Sequence, residues 1–201
     1  MKIGPKFKIA RRLGAPVFEK TQTAKFALSL SRKERAGTVP PRAKSEYGQA
    51  LTEKQKARYT YGLSEKQFRS YVDKALKSTN PTGKLFTSLE SRLDNVLFRS
   101  GLAKTRSSAR QIASHGHTLV NGRRVDVPSV LLRNGDKVSV RDASAGSALF
   151  AETAERMKAM NVPAWLKVNA ETREVSVVGE PVYERGAHVF DLGVVIEFYN
   201  R

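Results

Sequence analysis

Apolar positions between residues 64 and 100 recur at helical spacing. Phe68, Tyr71, Val72, Ala75 and Leu76 follow the i, i+3, i+4, i+7, i+8 stripe, and Ser64 with Gln67 forms a capping box ahead of them. A second box, Thr52 with Gln55, predicts the start of a preceding helix that stops at Gly62. Asn80-Pro81-Thr82-Gly83 breaks the chain, and a third helix is predicted from about residue 84 to 100. Its inward residues are Leu85, Leu89, Leu93, Val96 and Leu97, with Gly101 at its end. Thr105 caps a short helix that ends near Ser114, after which the period falls towards two. Thr118-Leu119-Val120, Asn121-Gly122 and Arg123-Arg124-Val125 read as strand, tight turn and strand. Asn134-Gly135 offers another turn before Lys137-Val138-Ser139-Val140. Residues 144–160 read as helix, and the last forty as short strands separated by Gly179, Pro181 and Gly193. The pattern predicts an α+β fold and contains no internal repeat.

The first 44 residues follow neither period. Gly4-Pro5, Gly14, Pro16, Gly37 and Pro40-Pro41 are interleaved with basic residues, so the stretch reads as an irregular arm that orders against a polyanion. Its apolar residues, among them Phe7, Ile9, Leu13, Phe18 and Phe26, argue against a plain disordered tail. The expected organisation is a basic arm at 1–44, a helical lobe at 45–88 completed by 189–201, and a lobe of short helices and β-hairpins at 89–188 whose core motif spans 89–140.

Charge narrows the partners. The chain has 201 residues and a formal net charge of +17. Residues 1–80 carry 19 basic and six acidic side chains, residues 81–142 carry 11 and five, and the remainder carry six and eight. A field of this sign and extent attracts phosphates. Anionic lipid would call for one Lys/Arg helix with a strong apolar face, whereas these charges are spread over several elements, which favours nucleic acid over membrane. The absence of cysteine excludes disulfides, a thiolate zinc site and a cysteine nucleophile. The longest apolar runs are too short to span a bilayer, and residues 1–12 lead into no signal-peptide core, so an intracellular protein is expected.

Catalytic patterns are weak. His115, His117 and His188 would have to meet to bind zinc, and no carboxylate pair is arranged with them; Ser107, Ser108 and Ser114 lack a nucleophile-elbow context. Pro81-Thr82-Gly83-Lys84 lacks both the upstream glycine and the Ser/Thr of a phosphate loop. Asp94 is expected to fix an arginine or the backbone. No enzyme activity, cofactor or metal is expected.

Residues 89–140 concentrate the chemistry of a nucleic-acid contact. Arg106 and Arg110 lie four apart on one helix face beside Gln111, while Lys104 and Thr105 sit where free backbone N–H groups favour an anion. Arg123 and Arg124 flank the Asn-Gly turn, and one of them should face the helix side. His115 is read as a turn residue that faces either the backbone or RNA.

The run TR-x-x-AR-Q-x-x-x-HGH-x-x-VNG-x-x-V, unbroken from Thr105 to Val125, closely resembles the RNA-binding domain named after small-subunit ribosomal protein four. The likeness continues on both sides. It includes Gly4-Pro5-Lys6, Arg11-Arg12-Leu13-Gly14, Tyr47-Gly48, Glu53-Lys54-Gln55-Lys56, Arg58, Tyr61-Gly62, Lys66-Gln67-Phe68-Arg69, Arg92-Leu93-Asp94-Asn95-Val96, Pro163-Ala164-Trp165-Leu166 and Val195-Ile196-Glu197-Phe198-Tyr199. Over nearly its whole length the chain is similar to the bacterial ribosomal protein four family.

That resemblance implies a structural constituent of the small ribosomal subunit, without enzymatic activity, that binds 16S ribosomal RNA early and nucleates the subunit's body. It implies direct contact with ribosomal protein five, proximity to protein three where messenger RNA enters, an influence on translational accuracy with proteins five and twelve, and a monomer within the ribosome, in bacterial cytoplasm. The implied RNA contacts are Lys6, Lys8, Arg11, Arg12, Lys54, Lys56, Arg58, Arg69, Arg92, Lys104, Thr105, Arg106, Arg110, Gln111, His115, Asn121, Arg123 and Arg124, with Arg42 and Lys44 facing messenger RNA. Two features depart from relatives, certain of which carry a cysteine zinc knuckle near the N-terminus and which commonly show Ile-Asn-Glu in the tail. Without cysteine the arm carries no zinc knuckle, and the tail reads His188-Val189-Phe190-Asp191-Leu192-Gly193. The alternative is a ribosome-associated or RNA-modifying protein carrying the same domain, which would need a catalytic region that the flanks do not display.

Overall fold

The computed structural model describes residues 3–35 and 45–200. Its helices are α1 (Lys6–Leu13), α2 (Ala24–Arg35), α3 (Glu46–Thr60), α4 (Glu65–Ala75), α5 (Pro81–Glu90), α6 (Leu93–Arg99), α7 (Arg106–Ser114), α8 (Asp142–Ala145), α9 (Thr153–Ala159) and α10 (Leu192–Asn200). The strands are β1 (Thr118–Val120), β2 (Arg123–Val125), β3 (Lys137–Val140), β4 (Leu166–Asn169) and β5 (Glu174–Val177). The expected α+β class is what the chain adopts. It forms two compact units, Met1–Leu85 with Tyr183–Arg201, and Phe86–Val182.

In the first unit the described part of the N-terminal arm, residues 3–35, is mostly helical where irregular chain was expected. Pro5 stands at the N-cap of α1 with extended backbone, and Gly14 closes the helix in the left-handed region, its N–H donating to the carbonyls of Ala10 and Arg11. These residues cap a helix instead of breaking it. Ala10 and Leu13 face a cluster with Val17, Phe18 and Phe26, and the Phe7 and Phe26 rings lie 5.5 Å apart. The apolar residues thus find partners within the arm itself.

Further along, Ser45 caps α3 by accepting from the Gly48 N–H at 3.3 Å. The predicted Thr52–Gln55 box is not a helix start, because Thr52 sits inside α3 with its hydroxyl donating to the Gly48 carbonyl at 2.7 Å. The Ser64–Gln67 box does open α4, which buries Phe68, Val72 and Ala75.

The C-terminal residues expected as strand form α10, packed on α3. Leu192, Val195 and Ile196 are buried at helical spacing, and this burial outweighs the strand preference of three successive β-branched residues. Asp191 starts the helix with its carboxylate accepting from the Gly193 N–H at 2.7 Å. Its own N–H donates to Glu53 of α3 at 2.9 Å.

The second unit contains an antiparallel five-stranded sheet in the order β2-β1-β3-β5-β4. Leu97, Ile112, Val138, Phe150 and Val175 belong to the core shared by the sheet and α6, α7 and the turn preceding α9. The helix predicted over 84–100 is broken at Ser91-Arg92. There the loop after β2 pairs with the chain: Leu93 N–H donates to the Val130 carbonyl at 2.8 Å and Asp94 N–H to the Pro128 carbonyl at 3.1 Å. Two first-turn N–H groups of α6 are thereby satisfied by another segment, which fixes a second helix start. The helix predicted over 144–160 is likewise interrupted, at Gly146-Ser147, into α8, a single 3₁₀ turn and α9.

No helix among the described residues is long and apolar enough to cross a membrane. No group of three His, Asp or Glu among them could hold a metal ion.

Candidate nucleic-acid interface

Local chemistry builds the scaffold of the second unit's basic face. Thr105 has extended backbone and its hydroxyl accepts from the Ser108 N–H at 3.0 Å, starting α7. The helix ends through His115 and Gly116, the latter at φ +67°. Asn121 and Gly122, at φ 50° and 75°, form the tight turn between β1 and β2. The Asn121 amide donates to Asp136 at 2.8 Å and its carbonyl oxygen accepts from the Lys137 N–H at 2.9 Å, tying the turn to β3.

Beneath this surface lie two buried carboxylates. Asp94 receives Arg92 Nη2 at 2.8 Å and, from α7, Arg110 through Nη2 at 2.8 Å and Nε at 3.0 Å. Glu90 takes Arg99 through both of its oxygens at 2.9 Å, and the Asn95 amide at 2.9 Å. Asn95 in turn accepts from Arg106 Nε at 3.0 Å, and the Arg106 guanidinium lies 4.3 Å from the centre of the Phe98 ring. Four guanidinium groups therefore surround two carboxylates, a cluster that stays positive while each arginine has an acid or amide to hold it.

Several expected contact residues reach the surface here. Lys104, Gln111, His115, Asn121, Arg123 and Arg124 are exposed, and Arg106 and Arg110 are partly so. Lys104 pairs with Glu152 at 2.6 Å, and this partner holds the Glu152 carboxyl below its usual range. Arg124 is the turn arginine on the helix side, because its guanidinium lies directly against Gly116. Arg92 departs from expectation. It is 3% exposed, with Nε and Nη2 both on Asp94, so it supports the face from within.

Basic residues of the first unit divide in the same way. Lys8, Arg12 and Arg69 are exposed. Lys6 lies over the Phe18 ring, and Arg11 Nε donates to the Phe7 carbonyl at 3.2 Å. Arg12 and Arg58 line a groove of about 500 Å³ with Ile9, Leu13, Leu51 and Tyr59. Lys56 pairs with Glu53 at 2.7 Å, and Arg58 stacks 4.3 Å from the Tyr59 ring centre. Lys54, expected at phosphate, is 8% exposed. Its ammonium donates to Glu65 at 2.7 Å and lies 4.9 Å from the Phe198 ring centre, so the docking of α10 encloses it. Arg42 and Lys44 lie outside the described residues.

Sequence reasoning missed Glu90, Asn95, Arg99 and Gly116. A faint signal was present, since Glu90 and Asp94 are two acids four residues apart inside a basic region.

Known proteins are similar to this chain over nearly its full length. A family model described as the ribosomal protein S4/S9 N-terminal domain matches residues 1–91, and one described as the S4 domain matches residues 91–138. The chain is 42% identical over 209 residues to the small ribosomal subunit protein uS4 of Halothermothrix orenii, with 98% of each chain covered. It is 38% identical over 206 residues to the uS4 protein of Variovorax paradoxus, covering 99% of this chain and 98% of the relative. The uS4 protein of Lachnospira eligens is 44% identical over 162 residues, covering 78% of this chain and 80% of that one. Matches of this extent, spanning the helical arm, the capped α7 and the Asn-Gly turn alike, show that the chain belongs to the ribosomal protein S4 family.

Proposed function

We propose that this protein is a structural constituent of the small ribosomal subunit that binds 16S ribosomal RNA directly and nucleates the subunit's body. The observation that carries the reading is the basic face formed by α7 and the β1–β2 turn. Arg106 and Arg110 are oriented from below, Arg124 is seated on Gly116, and Lys104, Gln111, His115 and Arg123 are exposed beside them. Arginines set at fixed spacing along a rigid edge suit the backbone of A-form RNA, which is recognised by shape and phosphate position more than by base edges. Lys8 and Arg12, four apart on α1, and Arg69 on α4 are exposed basic residues of the N-terminal unit, and dispersed cations of this kind fit a protein that gathers several RNA helices.

Resemblance to the family supports finer parts of the reading. Contact with ribosomal protein five, proximity to protein three where messenger RNA enters, and an effect on accuracy together with proteins five and twelve are proposed on that ground. Arg42 and Lys44 are proposed to face messenger RNA.

The test is binding of the purified protein to the isolated 5′ domain of 16S RNA, across a salt series and with excess transfer RNA as competitor. Binding that survives the competitor and weakens steeply with salt supports the proposal. Displacement by transfer RNA would leave a generic basic RNA-binding module and overturn it.

A further inference from the structure

We propose that Asp94 and Glu90 are positioning residues for RNA binding, and that Arg106 and Arg110 contribute to binding through a fixed guanidinium geometry, beyond their charge. The proposal rests on the RNA-binding reading above.

Two observations separate this role from simple stabilisation of the fold. First, each carboxylate already has an arginine of its own. Arg92 serves Asp94 at 2.8 Å and Arg99 serves Glu90 at 2.9 Å, and these pairs account for the charge of both buried acids. Second, each acid nevertheless extends to α7. Asp94 takes Arg110 directly, and Glu90 reaches Arg106 through Asn95, whose amide donates to Glu90 while its oxygen accepts from Arg106. The two α7 arginines are four residues apart, are both gripped at Nε, and remain partly exposed, Arg110 with 31% of its side chain accessible. Phe98 closes one face of Arg106.

An arginine left loose on a helix must lose rotamer freedom when it meets a phosphate, and that loss subtracts from affinity. Here the ordering is complete before RNA arrives. The consequence is specific to guanidinium. A lysine ammonium keeps the charge but has neither the planar fork nor the Nε donor through which Asp94 and Asn95 hold the side chain.

The experiment measures affinity and salt slope for the 16S 5′ domain with full-length wild type, Arg110→Lys, Arg110→Gln, Asp94→Asn and the Asp94→Asn/Arg110→Lys double variant. Thermal unfolding is followed on the same samples. Arg110→Lys is expected to lose about tenfold in affinity, close to the loss in Arg110→Gln, while only the Gln variant reduces the salt slope, by about one unit. Asp94→Asn is expected to weaken binding by a similar factor, and the double variant to lose no more than about twofold beyond either single one. Binding by Arg110→Lys within about twofold of wild type would overturn the proposal, as would full additivity of the two changes. Should Asp94→Asn fail to fold, Arg110→Lys decides alone, since it leaves both carboxylates in place. Failure of the wild type to hold the 5′ domain against transfer RNA would overturn the RNA-binding reading itself, and is distinguished by occurring without any substitution.

Discussion

The guanidinium of Arg124 occupies the space where a side chain on Gly116 would begin, so that a Cβ at residue 116 would overlap its Nε. Gly116 is also at φ +67°, a conformation that a residue with a side chain adopts only with strain. One glycine therefore both ends α7 and seats a basic residue brought by β2.

Gly116→Ala is expected to lower stability by about 1–2 kcal/mol, mostly from the left-handed backbone. The overlap itself is relieved cheaply, because the far end of Arg124 can swing away. That movement should weaken RNA binding about as much as Arg124→Gln does, and the two changes together should not add. Denaturant unfolding and a binding titration on the three variants check both parts.

Salt dependence separates phosphate contacts from supports. Arg123→Gln and Arg124→Gln should each reduce the slope of log affinity against log salt by somewhat less than one unit, with little change in RNA selectivity. Lys54→Gln should leave that slope unchanged and act on stability, because the ammonium is enclosed by Glu65 and Phe198.

The docking of α10 on α3 carries an acid-sensitive contact. Burial alone would raise the Glu65 carboxyl, but Lys54, the Tyr199 hydroxyl and Arg58 outweigh it and hold the group below its ordinary 4.5. Burial and the neighbouring Glu65 push the Tyr199 phenol up, so it remains a donor, 2.9 Å from the carboxylate. A depressed folded-state value means that this stabilisation is fully present above about pH 4.5 and is lost as pH falls through the lower folded value. Glu65→Gln should thus be less stable than wild type at neutral pH and should converge with it in acid. Urea midpoints across a pH series measure this.

Leu192 is fully buried at the start of α10. Leu192→Ala is expected to cost about 2–5 kcal/mol through lost burial and the cavity left behind. The urea midpoint should fall with an unchanged m value; a changed m value would show that α10 had come away from α3 instead.

Legibility in the sequence followed the range of the interactions. Thr105 reaches only to Ser108, and the Asn121-Gly122 turn needs only its own backbone, so both were readable from local residues. The break at Ser91-Arg92 depends on carbonyls of Pro128 and Val130, far along the chain, and a continuous helical stripe concealed it. Val194-Val195-Ile196 suggested a strand because β-branched residues favour one, yet Leu192, Val195 and Ile196 already carried the helical spacing that α3 selects. In the arm, Pro5 and Gly14 suggest breaks, yet the Pro5 carbonyl accepts the Lys8 and Ile9 N–H groups at the start of α1 and Gly14 supplies the left-handed conformation that ends it.

The candidate interface divided along the same line. Sequence spacing put Arg106 and Arg110 on one face, but only the fold shows that Asp94 holds Arg110 from 16 residues away. Arg92 and Lys54 looked like surface cations because charge is visible in a sequence and burial beside an acid is not.

The central proposal is that RNA meets the protein at α7 and the β1–β2 turn. The direct measurement is covalent cross-linking of the full-length protein to the 16S 5′ domain, followed by identification of the modified peptides by mass spectrometry. Cross-links are expected on peptides containing Lys104, His115 and Arg123-Arg124, suppressed when salt is raised enough to release the RNA. Cross-links confined to residues 142–182, with α7 and the β1–β2 turn unmodified, would contradict the proposal.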